Sequence, residues 1–173
     1  MDTRLLALRA SLCLGDGGFY DTDPPVHNVN WATGWKVKMM CELLPMLYIS
    51  NPNSRKNARS SYGLKHELEH LFQTYAPELS SLHTNWVGNG ELILAMAYCG
   101  FHSHSRCGLN AFYYLKDKRR GKNNKGGMAK KEAECVEALV RDFLRKKVEE
   151  HLGKPSGEHL GKPSGEQLSA STQ

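Results

Sequence analysis

The residues of this chain whose types and spacing could do chemistry lie between Ser60 and Leu115. His66-Glu67-Leu68-Glu69-His70 matches H-E-x-x-H, in which two imidazoles one helical turn apart hold zinc and the intervening glutamate activates a water. Three features oppose that reading. Glu69 puts a charge between Glu67 and His70, where such enzymes usually carry uncharged residues. The longer form of the motif fails, since Gln73 stands where a glycine is needed and Ala76 where a third histidine would be. Little strand content is predicted for the sheet and cleft that a zinc protease uses. A third ligand would have to be Glu91, early in the next predicted helix, or His83 in the loop between. As a first-turn acid Glu91 is already explained by the helix dipole. The expectation is therefore that His66 and His70 face solvent and no metal is held, with Glu67 the catalytic residue and His66, His70 and Glu91 the ligands of the alternative.

A second cluster is Cys99-Gly-Phe-His102-Ser-His104-Ser-Arg-Cys107. Two thiolates and two imidazoles suit zinc, but structural sites usually draw ligand pairs from separated knuckles, and one short loop would be strained. The expectation is a core thiol at Cys99 followed by a polar loop, with Cys99, His102, His104 and Cys107 as a second metal alternative.

Basic residues form a third set. Arg55, Lys56 and Arg59 fall in one polar loop, and Lys116, Lys118, Arg119, Arg120, Lys122 and Lys125 in another. Such clusters neutralise phosphates without reading sequence. The two helices predicted over 62 to 75 and 90 to 101 could form a helix-turn-helix-like pair. The second is too apolar to enter a groove, so any contact is assigned to the loops.

The elements that position these residues are read from periodicity. Thr3 caps a first helix over Arg4 to Leu14, with a cleaved leader or organellar presequence as alternatives for this apolar, arginine-bearing stretch. Residues 15 to 29 read as loop. Asn28 or Asn30 caps a helix from Trp31 to Leu44, which Pro45 ends. Met46 to Ile49 is extended. Ser60 or Ser61 caps the helix over 62 to 75, with Leu64, Leu68, Leu71, Phe72 and Tyr75 on one face. Asn89 caps a helix that is apolar on every side and therefore central. Ala111 to Leu115 reads as a strand or a helix start, and a last helix runs from Lys130 to Leu152. The octapeptide Glu150–Gly157 recurs at Glu158–Gly165 and is rich in Gly, Pro and Ser, the composition of a disordered tail.

The middle of the chain is similar to short uncharacterised proteins of bacteria and mobile elements. The likeness lies in SSYGLKH at Ser60–His66, NGELI at Asn89–Ile93, GF at Gly100-Phe101 and NAFYYL at Asn110–Leu115, about a third of the chain. The resemblance implies no particular activity. In its pattern the histidine of GLKH recurs and a second one four residues on is not required.

The whole is 173 residues with net charge +5 and five widely spaced cysteines, Cys13, Cys41, Cys99, Cys107 and Cys135. An odd, scattered set argues against a disulfide framework and for reduced thiols in the cytoplasm. No apolar run is long enough to span a bilayer. The predicted fold is mainly α, a compact bundle of four or five helices with room for one small β-hairpin. Its parts are an N-terminal helix and loop (1–29), a helical domain (30–152) and a disordered tail (153–173). The predicted function is that of a small intracellular binding protein without a cofactor, with enzymatic activity left open by the sequence. It would contact nucleic acid non-specifically through Arg55, Lys56, Arg59, Lys118, Arg119, Arg120 and Lys122. Two alternatives stand: a zinc-dependent metallopeptidase or hydrolase, and a structural module whose C-terminal helix docks on another protein.

Overall fold

Leu92, Ile93, Leu94, Ala95 and Met96 follow one another without a polar break, so a helix built from them is apolar around its circumference and must be enclosed. A computed structural model, which describes residues 3–20, 34–53, 58–82, 86–120 and 127–152, encloses it. The elements run α1 (Thr3–Ser11), β1 (Leu14–Gly15), β2 (Gly18–Phe19), α2 (Trp35–Leu47), β3 (Tyr48–Ser50), β4 (Ala58–Ser60), α3 (Ser61–Tyr75), a 3-10 turn (Pro77–Leu82), α4 (Asn89–Tyr98), β5 (Ser105–Cys107), β6 (Asn110–Asp117) and α5 (Gly127–Leu152). Every residue of α4 from Asn89 to Met96 is buried, and the helix packs against α1, α2, α3 and the β1–β2 hairpin.

The expectation of a helical bundle is corrected: the fold is mixed, with five helices, a two-stranded sheet and a four-stranded antiparallel sheet among the described residues. β6 is the spine of the larger sheet. β3 and β4 flank it, and β5 pairs with its first residues, in registers such as Ser50↔Leu115, Ala58↔Tyr114 and Cys107↔Asn110. Its burial alternates with the pleat, so Ala111, Tyr113, Leu115 and Asp117 point inward. The strands β3, β4 and β5 are three residues each, too short to show a period of two in sequence. They exist because β6 supplies the partner.

Two further corrections concern punctuation. Residues 14 to 19 form the β1–β2 hairpin where a helix end and loop were expected. Its tip lies on the start of α4: Gly90 N–H donates to the Asp16 carbonyl at 2.9 Å, and a Cβ at Gly90 would meet the Gly15 carbonyl. Pro45 lies inside the last turn of α2 and does not end it. Its missing N–H leaves the Cys41 carbonyl without its helical donor, and the Cys99 thiol donates to that oxygen at 3.1 Å. Ser60 does cap α3, its Oγ accepting from Gly63 N–H at 3.1 Å. The cap of α4 is Gly88 rather than Asn89. The Asn89 side chain instead donates to the carbonyls of Gly17 and Leu109 and to Asn110 Oδ1, tying hairpin, helix and strand together. The expected caps Asn28 and Asn30, with Trp31, lie outside the described residues, as does the repeat tail.

Candidate functional site

On α3, Leu64, Leu68, Leu71 and Phe72 are buried and His66 and His70 are exposed, as the helical stripe requires. Between these faces Glu67 and Glu69 point toward different neighbours, and each organises a charged cluster.

Glu67 lies by the end of β6. Arg59, in β4 rather than in a loop, bonds its carboxylate. Tyr48 Oη donates to Glu67 at 3.3 Å. Arg119 and Arg120 approach the same carboxylate at 3.6 and 3.7 Å. Beside it is Asp117, the last inward residue of β6, with a side chain only 4% exposed. A buried carboxylate needs partners, and Arg119 supplies three donors: its N–H at 2.9 Å, Nε at 3.0 Å and a terminal nitrogen at 2.7 Å. Burial alone would raise the Asp117 carboxyl, but the bonds to Arg119 outweigh it and hold the group below its ordinary range. Burial pushes the Tyr48 phenol far up, and Glu67 adds to the shift. The cluster thus sets three guanidiniums on two carboxylates. Four of its members, Glu67, Asp117, Arg119 and Arg120, form one wall of a cleft of about 460 Å³ that His66, His70 and Glu137 also line. Arg120 is the open member, with a side chain 73% exposed.

Glu69 serves the other side. Its Oε1 accepts from Val87 N–H at 3.0 Å and pairs with Lys65 at 3.5 Å, and its Oε2 lies 2.6 Å from His66 Nδ1. Next to it Glu91 accepts from Gly88 N–H at 2.7 Å, the reach of an N3 carboxylate back to the N-cap backbone of α4. Glu91 also pairs with Lys36 at 2.8 Å. Lys36 Nζ donates in turn to the Trp86 carbonyl at 2.8 Å. Lys65 is buried although lysines seldom are. Over these charges Tyr62 and Trp86 remain 54% and 56% exposed.

The expected residues therefore separate. The sheet and cleft that the sequence did not predict stand beside His66, Glu67 and His70. Glu91, however, is engaged by Lys36 and Gly88, and Glu67 is engaged by arginines. Cys99 is occupied at the Cys41 carbonyl, and a side-chain hydrogen bond with Cys41 together with the charge of Arg4 holds its thiol below the ordinary value against the effect of burial. His104 stacks on Tyr114 at 4.3 Å and lines a second cleft with His102, while Cys107 is exposed on β5. Among the described residues no group of three or more His, Cys, Asp or Glu side chains could hold a metal ion, and no helix is long and apolar enough to cross a membrane. All five cysteines are free thiols. Of the basic set, Arg59, Arg119 and Arg120 converge. Lys118 is drawn to the Pro45 carbonyl at 2.6 Å. Arg55, Lys56, Lys122, Lys125 and His83 lie outside the described residues. α4 is buried along its length and offers no recognition surface, so the helix-turn-helix-like pair is not formed.

The lysine frame was missed because Lys36, Lys65 and Trp86 carry no motif. The one available signal was that Tyr62, Lys65 and Glu91 fall within the stretches on which the resemblance rests. No family model matches the chain, and no curated protein or solved structure matches it.

Proposed function

We propose that this chain binds nucleic acid through phosphates, without reading sequence, at the arginine-lined end of the larger sheet. One observation carries the reading: Arg119 and Arg120 line one cleft beside Glu67 and Asp117, and Arg59, from a distant segment, braces the same two carboxylates from behind. A guanidinium already oriented by a carboxylate loses little freedom when a phosphate arrives, and its fork matches phosphate geometry. The cluster carries one more positive than negative charge, which Glu137 across the cleft offsets, so the attraction for a polyanion comes from the exposed Arg120 and from the net +5 of the whole chain. The carboxylates reduce the local field, so the binding is weak and salt-sensitive rather than tight.

The test is fluorescence anisotropy with a labelled 20-nucleotide DNA across a salt series. Affinity should fall linearly on a log–log plot, and Arg120→Gln should lower that slope by about one. Arg120 is exposed, so the variant keeps the fold. Absence of binding at low salt, or sequence-selective binding that persists at high salt, would overturn the reading.

A further inference from the structure

We propose that Tyr62 and Trp86 form a stacking platform for unpaired nucleobases, so that the nucleic acid taken by this chain is single-stranded. The inference rests on the phosphate-binding reading above and names its substrate more narrowly.

The first ground is how Trp86 is held. A large aromatic that is 56% exposed leaves apolar surface in water, and on a loose loop it could fold down. Here the backbone is fixed at three successive residues by charged side chains. The Trp86 carbonyl accepts from Lys36 at 2.8 Å, Val87 N–H donates to Glu69 at 3.0 Å, and Gly88 N–H donates to Glu91 at 2.7 Å. The side chains of the frame are themselves only 8% to 15% exposed, as read for Lys36, Glu91, Lys65 and Glu69. A buried ionic frame of this kind is a costly way to shape a loop, and its product is an outward-facing indole.

The second ground is the charge beneath the rings. Lys65 Nζ lies 5.2 Å from the Trp86 ring centroid and 5.1 Å from that of Tyr62, and Lys36 Nζ lies 5.7 Å from that of Trp86. Two ammonium groups already occupy the cation positions at these rings, so a quaternary-ammonium or methyl-lysine ligand gains nothing there. Glu91 and Glu69 neutralise them, so what the pair offers is a flat π-face for a base, and the phosphates are left to Arg120.

The third ground is continuity. His66 meets the Tyr62 ring edge-on at 4.6 Å and also lines the arginine cleft. Tyr62, His66 and His70 recur every four residues along the exposed face of α3, so the row spans about 12 Å. At about 3.4 Å per stacked nucleotide that accommodates three or four units, with bases on Tyr62 and Trp86 and phosphates reaching Arg120. A duplex, whose bases are already stacked, has no face to offer the rings.

The experiment uses the full chain with labelled oligothymidylate and with a duplex of equal length, both at low salt. Single strand should bind at least as tightly as duplex. Trp86→Ala should weaken the single strand about ten-fold and leave duplex affinity within two-fold, Tyr62→Ala should act in the same direction, and Trp86→Phe should restore most of the loss. Arg120→Gln should weaken both substrates. If Arg120→Gln weakens both while Trp86→Ala and Tyr62→Ala change neither, the platform is overturned and the phosphate reading stands. If Trp86→Ala weakens both substrates equally, the platform is likewise overturned. If the wild type binds neither substrate, both readings fall.

Discussion

Glu67 and Glu69 are two residues apart on one helix, yet the regions they organise differ in kind. Around Glu67 the cations are guanidiniums and the partners are side chains: Arg59, Arg119, Arg120 and Asp117 bridge one another, and Arg120 reaches open water. Around Glu69 and Glu91 the cations are ammonium groups, and the carboxylates spend their remaining lone pairs on backbone N–H groups of residues 87 and 88. The planar fork of arginine can serve two carboxylates and still present an edge outward. A lysine Nζ is a point charge that closes on what it touches. The arginine region is therefore suited to meet a ligand directly, and the lysine region to hold a segment of chain in place. Both are half-buried clusters with carboxylate acceptors, and the identity of the donors tells them apart.

The largest effect expected is loss of both regions together. Leu94→Asp places a lone charge on a helix with no exposed side from residue 89 to 96, costing several kcal/mol. The variant should be insoluble or unfolded by circular dichroism, and a cooperatively melting one would show that the two clusters do not share this core. Next in size, Asp117→Ala should break the arginine region alone, stranding Arg119 at a cost of about 3 kcal/mol in chemical denaturation. The same residue sets an acid limit. Because its folded pKa is depressed, its contribution is complete above the unfolded value of about 4 and is lost as pH falls through the folded one. In Asp117→Asn that part of the acid slope should vanish, and an unchanged slope would assign acid sensitivity elsewhere.

Comparable in size, and aimed at the other region, Glu69→Ala should cost about 3 kcal/mol through the stranded Lys65 and Val87 N–H. Amide hydrogen exchange at Val87 should accelerate while Arg120-dependent binding at the cleft stays within two-fold. Equal damage to both would mean the clusters act as one. The smallest effects belong to His66→Ala and His70→Ala. Both are exposed, and each should change unfolding free energy by no more than about 0.5 kcal/mol.

What could be read from sequence was what depends on neighbours in the chain. The Ser60 cap, the inward stripe of α3 and the enclosure of α4 follow from spacing alone. The partners of Glu67 and Glu69 were hidden, because a carboxylate on the flank of a helix is indistinguishable from a solvated one until its surroundings are placed. Those surroundings arrive through the register of β6, which sets Arg59 opposite Tyr113 and Tyr48 opposite Asp117. The three-residue strands had no period to read. The continuation of α2 through Pro45 leaves a carbonyl that is met by a thiol just past the end of α4, a contact between distant parts of the chain. The H-E-x-x-H spacing was legible, but what each of its residues bonds was not.

β6 has one more consequence, for the order in which the molecule comes into being. β3 and β4 are made early and wait for a strand that ends at Asp117, so neither has its partner until the intervening helices have emerged from the ribosome. Pairing across so long a stretch of chain slows folding relative to a helical bundle of the same size. During that interval the apolar helix α4 already has its partners, since α1, the hairpin, α2 and α3 precede it. What stays open is the backbone of β3 and β4, and β6 supplies the partner of both.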